Sequence, residues 1–236
     1  MRHSGYFKFK QFEVKQTKSA MKIGTDGVLL GGWADIEKAK QILDVGTGTG
    51  LIALMCAQRN PKAQITAIEI EPFAAEEAAF NFRNSPWADR LNLIQKDFKQ
   101  IVFDQKFDVI ISNPPYFSQA VQPNKKQRIL ARHTSGLNLE ELINKAETHL
   151  SEDGTVFLIL PTSQQEEIHK IAEKTGLYIQ KKCLVKGHAQ AQPKRILLKL
   201  GRSKQQVQTG DIIIEEKRHL YTPKYKNLTK NFYLNL

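Results

Sequence analysis

Ile42-Leu43-Asp44-Val45-Gly46-Thr47-Gly48-Thr49-Gly50-Leu51 decides the fold of this 236-residue chain. A short apolar run suited to a buried strand enters a loop with glycine at every second position, and apolar residues at helical spacing follow from Leu51. Glycine tolerates positive φ and lets a ligand approach the main chain; strand-loop-helix turns of this kind bind cofactors at the carboxyl edge of open α/β sheets. A dinucleotide fingerprint needs its third glycine at position 51, which is Leu51, and Asp44 stands two residues before the first glycine. A carboxylate there repels a pyrophosphate and suits a ligand with a cationic amino-acid group. The pattern points to S-adenosylmethionine rather than a nicotinamide dinucleotide, with Asp44, Gly46, Gly48 and Gly50 as cofactor residues.

Outward from this loop, β-branched or apolar runs alternate with amphipathic stretches, as in a parallel sheet flanked by helices. Strands are expected at Gln41–Val45, Gln64–Glu69, Leu91–Gln95, Phe107–Ser112, Thr155–Leu160, Tyr178–Leu184 and Arg195–Leu200. Helices are expected at Leu51–Arg59, Phe73–Arg83, Leu139–Leu150 and Ser163–Thr175, on both faces through right-handed crossovers. A short helix capped near Thr25-Asp26-Gly27 ends near Trp33. The expectation is one α/β, Rossmann-like domain over residues 1–236. It comprises an N-terminal extension (1–40), a core (41–200) and a basic C-terminal extension (201–236).

Two strand ends carry acids. Glu69, nineteen residues beyond Gly50, is placed to accept hydrogen bonds from ribose hydroxyls, with Glu71 as the weaker alternative. Lys96-Asp97-Phe98 offers a carboxylate for an adenine amino group and a ring to flank the base, although an acid after a strand equally caps a helix.

The fourth expected strand ends in Asn113-Pro114-Pro115-Tyr116. A planar amino or amide nitrogen is a poor nucleophile because its lone pair is delocalised, so methylating it requires acceptors that draw its hydrogens out of conjugation. Asn113 supplies a side-chain carbonyl, and Pro114 a backbone carbonyl on a chain of restricted φ. The residue before a proline is itself steered to extended geometry. Tyr116 is suited to stack on the planar group, so that catalysis is orientation and electrostatics with no general base. Asn113, Pro114, Pro115 and Tyr116 are the candidate catalytic residues, and Asn113 also borders the cofactor.

The composition sets further bounds. The formal charge is +11, and residues 181–230 hold thirteen Lys/Arg against three acids, an excess of ten. A polyanion such as RNA and a plain lysine-rich surface both fit this excess. Cys56 and Cys183 have no Cys or His at metal-ligand spacing, so neither a disulfide nor a metal is expected. No apolar run reaches the length of a membrane span, and Met1–Ser19 lacks a signal-peptide core, which favours a cytoplasmic monomer without a membrane partner.

The ordered set Asp44–Gly50, Glu69, Asp97 and Asn113–Tyr116 resembles the class I amino-methyltransferases. That resemblance implies a seven-stranded, mostly parallel sheet whose last strand is antiparallel, and methylation of exocyclic amino or amide nitrogens. Phe9–Phe12, Met21–Gly27, Asn84–Ala88 and the tail Tyr225–Leu234 are similar to the bacterial tRNA1(Val) adenine N6-methyltransferases, which modify the adenine immediately 3′ of the anticodon. The likeness implies that Lys22, Thr25 and Asp26 lie over the cofactor. It also implies that the basic groups Lys125, Lys126, Arg128 and Arg132, with Lys194, Arg195, Lys224 and Lys226, hold tRNA. For Arg132 with His133, closing the pocket and capping the next helix also fit. The rival readings are a protein-glutamine N5-methyltransferase, a DNA or rRNA amino-methyltransferase, and a non-catalytic RNA-binding module.

Overall fold

The computed structural model describes residues 5–19, 21–115 and 137–235. The chain opens with a small antiparallel pair, β1 (Tyr6–Lys8) and β2 (Glu13–Lys15), then helix α1 (Thr25–Trp33). Strands β3 (Gln41–Val45) and β4 (Gln64–Glu69) are joined through α2 (Leu51–Arg59). Helix α3 (Pro72–Arg83) leads to β5 (Leu91–Gln95) and β6 (Phe107–Ser112). After α4 (Leu139–His149), strand β7 (Leu150–Pro161), α5 (Gln165–Lys174), β8 (Tyr178–Lys186) and β9 (Arg195–Gly201) complete the expected set. The C-terminal part supplies β10 (Gln208–Ile213), a hairpin of β11 (Glu215–Lys217) and β12 (Leu220–Tyr221), and α6 (Pro223–Thr229).

The main sheet runs β10-β8-β9-β7-β6-β3-β4-β5. β9 is antiparallel to both neighbours, and the other adjacent pairs are parallel. All seven expected strands are present and the seventh is the reversed one. The unforeseen element is the eighth strand, β10, which extends the edge beside β8 with Gln208 opposite Lys181 and Ile213 opposite Lys186. Its sequence Gln-Thr-Gly-Asp-Ile-Ile is polar over its first four residues, as an edge strand tolerates, so it lacks the apolar alternation that marked the others. β7 also starts earlier than expected, because Leu150 pairs with Phe107 directly after α4 ends at His149.

The central strands send alternate side chains into two cores, the signature of a sheet covered on both sides. Ile42, Val109, Ile111, Phe157 and Ile159 pack on one face with residues of α1, α2 and α3; Leu43, Ile110, Val156, Leu158 and Leu160 pack on the other with α4 and α5. The termini close over the first face. Phe9 stacks on Phe12 with ring centroids 4.6 Å apart and on Tyr233 at 5.8 Å, Phe12 meets Trp87 edge-on at 5.8 Å, and the Lys10 amide donates to the Phe232 carbonyl at 2.8 Å. The segments around Phe9, Trp87 and Tyr233, far apart in the chain, therefore form one aromatic cluster. Among the described residues no helix is long and apolar enough to cross a membrane.

Candidate active site

β3, β4 and β6 run parallel and end side by side, so Val45, Glu69 and Ser112 reach the same edge of the sheet. A cavity of about 250 Å³ opens there, and its wall includes Gly46, Gly48, Glu69, Asp97, Asn113 and Pro114, together with Pro115 and Phe98. Residues spread over 70 positions thus meet at one place because four strand ends coincide, that of β5 lying beside β4. The Ser112 hydroxyl donates to the Val45 carbonyl at 2.7 Å, which fixes the end of β6, and with it Asn113, against the start of the glycine loop.

The loop is held from within. The amides of Gly46 and Thr47 both donate to the Ile68 carbonyl at 2.9 Å, the Gly48 amide donates to Glu69 Oε2 at 2.8 Å, and the Gly50 amide to Thr47 O at 2.9 Å. These donors are engaged inside the protein, so the loop offers a ligand close approach rather than a row of amide donors. No atom lies within 4 Å of where a Cβ would stand on Gly46 or Gly48, so that space is open. At Gly50 the reason for glycine is different. Its φ is +88°, and an added Cβ would sit 2.5 Å from Phe82.

Asp44 is fully buried and does not reach the cavity wall. Its Oδ2 accepts from the Thr47 hydroxyl at 2.5 Å and the Ala53 amide at 3.1 Å, tying the loop to the first turn of α2, while Oδ1 is buried with no hydrogen-bond partner. Burial pushes its carboxyl up to about 7; the Thr47 and Ala53 bonds oppose this and the Glu69 charge adds to it. The expected direct partner of a cationic ligand is therefore, in the first instance, the anchor of the loop.

Glu69 and Glu71 separate cleanly. Glu71 caps α3, accepting from the Phe73 and Ala74 amides, whereas Glu69 faces the cavity. Glu69 Oε1 accepts from the Ile70 and Glu71 amides, both at 2.9 Å, and Oε2 from Gly48. A carboxylate has about four lone-pair sites. About one is left for a ribose hydroxyl, and release of the Gly48 amide would free a second.

Asp97 lines the cavity and accepts from the Lys99 amide at 3.0 Å, capping the short turn Phe98–Gln100. Phe98 touches the cavity but is 3% exposed, and its ring packs 6.4 Å from that of His149. The apolar surfaces that are presented, Ile70 at 55% and Met21 at 61% exposed, were missed. The available signal was an isoleucine placed immediately after a strand-end acid.

The N-terminal segment reaches the same cavity through Met21, Lys22, Ile23 and Gly24. Lys22 Nζ donates to the Ser19 carbonyl at 2.9 Å, folding the segment on itself. Buried Glu77 on α3 accepts from the Thr17, Lys18 and Ser19 amides and the Thr17 hydroxyl. Burial opposes ionisation of Glu77, but these bonds, led by that from Lys18, hold its carboxyl below the ordinary value. Asn81, one turn on, donates to the Thr49 carbonyl and to that of Lys15, joining the N-terminal segment to the glycine loop.

Other expected residues fall elsewhere. Thr25 and Asp26 are not on the wall; Asp26 Oδ2 accepts from Arg195 Nε at 2.7 Å, so this pair links α1 to β9. Arg195, expected to hold RNA, is a partner in this ion pair. Lys194 is exposed beside it, and Lys224 and Lys226 lie on α6. Tyr116, Lys125, Lys126, Arg128, Arg132 and His133 lie outside the described residues.

Comparison with known proteins agrees with this arrangement. Residues 23–180 match the family model of the methyltransferase small domain. A protein of Flavobacterium psychrophilum named tRNA1(Val) (adenine(37)-N6)-methyltransferase is 45% identical over 98% of this chain and 100% of its own length. One of the same name from Histophilus somni is 43% identical over 97% of each chain. Among solved structures, a predicted O-methyltransferase from Agrobacterium tumefaciens superposes with TM-score 0.70 at 22% identity, covering 88% of this chain and 96% of that one. The ribosomal protein L11 methylase of Lactobacillus delbrueckii subsp. bulgaricus gives 0.54 at 22%, over 75% and 77%. At that identity the two structures speak for the fold alone. A sheet with one reversed strand, a glycine loop beside an Asn-Pro-Pro strand end, and near full-length identity above 40% lead to one assignment: this chain belongs to the methyltransferase small domain family and, within it, to the family of the tRNA1(Val) (adenine(37)-N6)-methyltransferases.

Proposed function

We propose that the chain transfers a methyl group from S-adenosylmethionine to the N6 amino group of the adenine 3′ of the anticodon in a tRNA, tRNA1(Val) by the names of its relatives. The observation that carries this reading is the meeting of Asn113-Pro114 with Gly46, Gly48 and Glu69 on one wall. The residues present fit the cofactor. The space over Gly46 and Gly48 is open, Glu69 keeps acceptor capacity, Ile70 and Met21 offer apolar surface for a base, and Asp44 stands behind the loop with Oδ1 unpartnered. When bound, S-adenosylmethionine supplies an electrophilic methyl on a sulfonium.

The chain's own residues orient the acceptor. The Asn113 side-chain carbonyl and the Pro114 backbone carbonyl accept from the two amino hydrogens, which weakens conjugation of the nitrogen with the ring and directs its lone pair along the transfer line. Pro115 restricts the chain beyond these acceptors, and Tyr116 is assigned the stacking face. The nitrogen loses one proton to solvent after transfer, so no basic side chain is required. An adenine in a loop must turn out of its stack to reach this wall, at a cost of a few kcal/mol, less than in a duplex.

The test is incubation with methyl-labelled S-adenosylmethionine and undermodified total tRNA, followed by nucleoside mapping. Label in N6-methyladenosine next to the anticodon is the expected result. Label in protein glutamine and none in RNA would transfer the same acceptor chemistry to an amide substrate.

A further inference from the structure

Part of the basic excess of residues 181–230 is paired inside the protein. Lys181 and Lys199 both pair with Asp35, Arg195 with Asp26, and Arg202 with Glu147. Nine of the thirteen Lys/Arg in this stretch make no ion pair among the described residues; four of the nine are Lys186, Lys194, Lys217 and Arg218, of which Lys194, Lys217 and Arg218 are exposed. All four belong to one edge. β8 and β10 run in the same direction as β6, so Lys186 at the end of β8, the turn to β9 carrying Lys194, and the β11–β12 hairpin that follows β10 rise at the edge where Asn113 stands.

The hairpin is fixed in place. The Ile214 amide donates to the Lys186 carbonyl and the Glu215 amide to the Gly187 carbonyl, both at 2.9 Å; the Thr222 amide returns to the Ile214 carbonyl at 3.0 Å. Lys217 faces Leu220 across the hairpin, with Arg218 and His219 at the tip and His219 at φ +65°. Its two acids, Glu215 and Glu216, lie at the start of the strand, nearer the sheet, so the cations project furthest. From β6 to β10 there are four strand steps of about 4.8 Å, or roughly 19 Å. That length meets several successive phosphates at about 3.4 Å of rise per nucleotide.

We infer that this rim, from Lys186 and Lys194 to the Lys217-Arg218 hairpin tip, is the track for the RNA backbone leading to the adenine held at Asn113, and that the RNA lies on the β7–β10 side of the cavity. The inference rests on the tRNA reading above. The rim is built before RNA arrives, so its charges gain affinity without the ordering cost of a disordered tail.

The experiment is salt titration of binding by a fluorescent anticodon stem-loop, using the full chain with Lys217→Ala/Arg218→Ala and, as a charge-matched control at the end of the sheet away from the cavity, Lys62→Ala/Arg83→Ala. Each lost phosphate contact lowers the slope of log K against log salt by about 0.7 to 0.9. The hairpin pair should lower it by about 1.4 to 1.8, with S-adenosylmethionine affinity unchanged, and the control should match the wild type. Equal slopes for the hairpin pair and wild type, with RNA still methylated, overturn the rim and leave the tRNA reading standing. Equal losses from both pairs overturn it in favour of diffuse attraction. Wild-type protein that neither binds RNA in a salt-dependent way nor methylates it overturns both.

Discussion

Asp44→Asn tests whether the glycine loop rests on a buried charge. In the wild type burial pushes this carboxyl from 3.8 up to about 7. The sign follows from proton binding: between these values the folded state holds a proton that the unfolded state has released, so stability falls as pH rises from about 4 to 7 and is level above. The interval of about three pH units corresponds to about 4 kcal/mol at 1.36 kcal/mol per unit. Asparagine keeps an oxygen for Thr47 and Ala53 but puts an amide where Oδ1 has no partner, a cost of about 1–3 kcal/mol. The variant should therefore be less stable than wild type near pH 4 by about 1–3 kcal/mol, and more stable near pH 8 by a similar amount, with weaker binding of the cationic cofactor. Urea unfolding across that range reads the crossing directly. Parallel pH profiles for the two proteins would refute the buried-charge account of the loop.

Gly50→Ala places a Cβ at φ +88° and 2.5 Å from Phe82; the left-handed conformation alone costs about 1–2 kcal/mol, so thermal unfolding should show a loss of at least about 2 kcal/mol. Glu69→Ala removes the acceptor of three amides and the proposed acceptor of a ribose hydroxyl; calorimetry should give at least roughly tenfold weaker S-adenosylmethionine binding, and unchanged affinity would remove Glu69 from the site. Glu77 has a carboxyl held low, so its contribution is present above the unfolded value of 4.5 and is lost as pH falls through the lower folded value. Glu77→Gln should lower stability at neutral pH by about 1–3 kcal/mol and make acid unfolding shallower, as followed by circular dichroism.

The fold was legible because the strands that decide it are buried on both faces and read as apolar runs between turns. β10 was not, because an edge strand needs no apolar face and its first residues are Gln, Thr, Gly and Asp. Glu69, Asp97 and Asn113, named from strand ends alone, meet on one cavity wall, since a parallel sheet brings those ends together. Side-chain direction was the harder part. Asp44 turns inward to Ala53, Phe98 into the core, and Asp26 to Arg195, 169 residues away, and nothing local encodes these partners. Ile70 was passed over because an exposed apolar residue gains meaning only when a cavity is seen beside it.

The central claim, that Asn113 directs an adenine amino group towards a sulfonium methyl, is tested most directly by single-turnover methyl transfer to an unmodified anticodon stem-loop with wild type and Asn113→Ala. The account predicts N6-methyladenosine at the position 3′ of the anticodon from the wild type. In the variant it predicts a transfer rate lower by about a hundredfold or more, with S-adenosylmethionine affinity changed less than about threefold. A variant that methylates this adenine at the wild-type rate would contradict it.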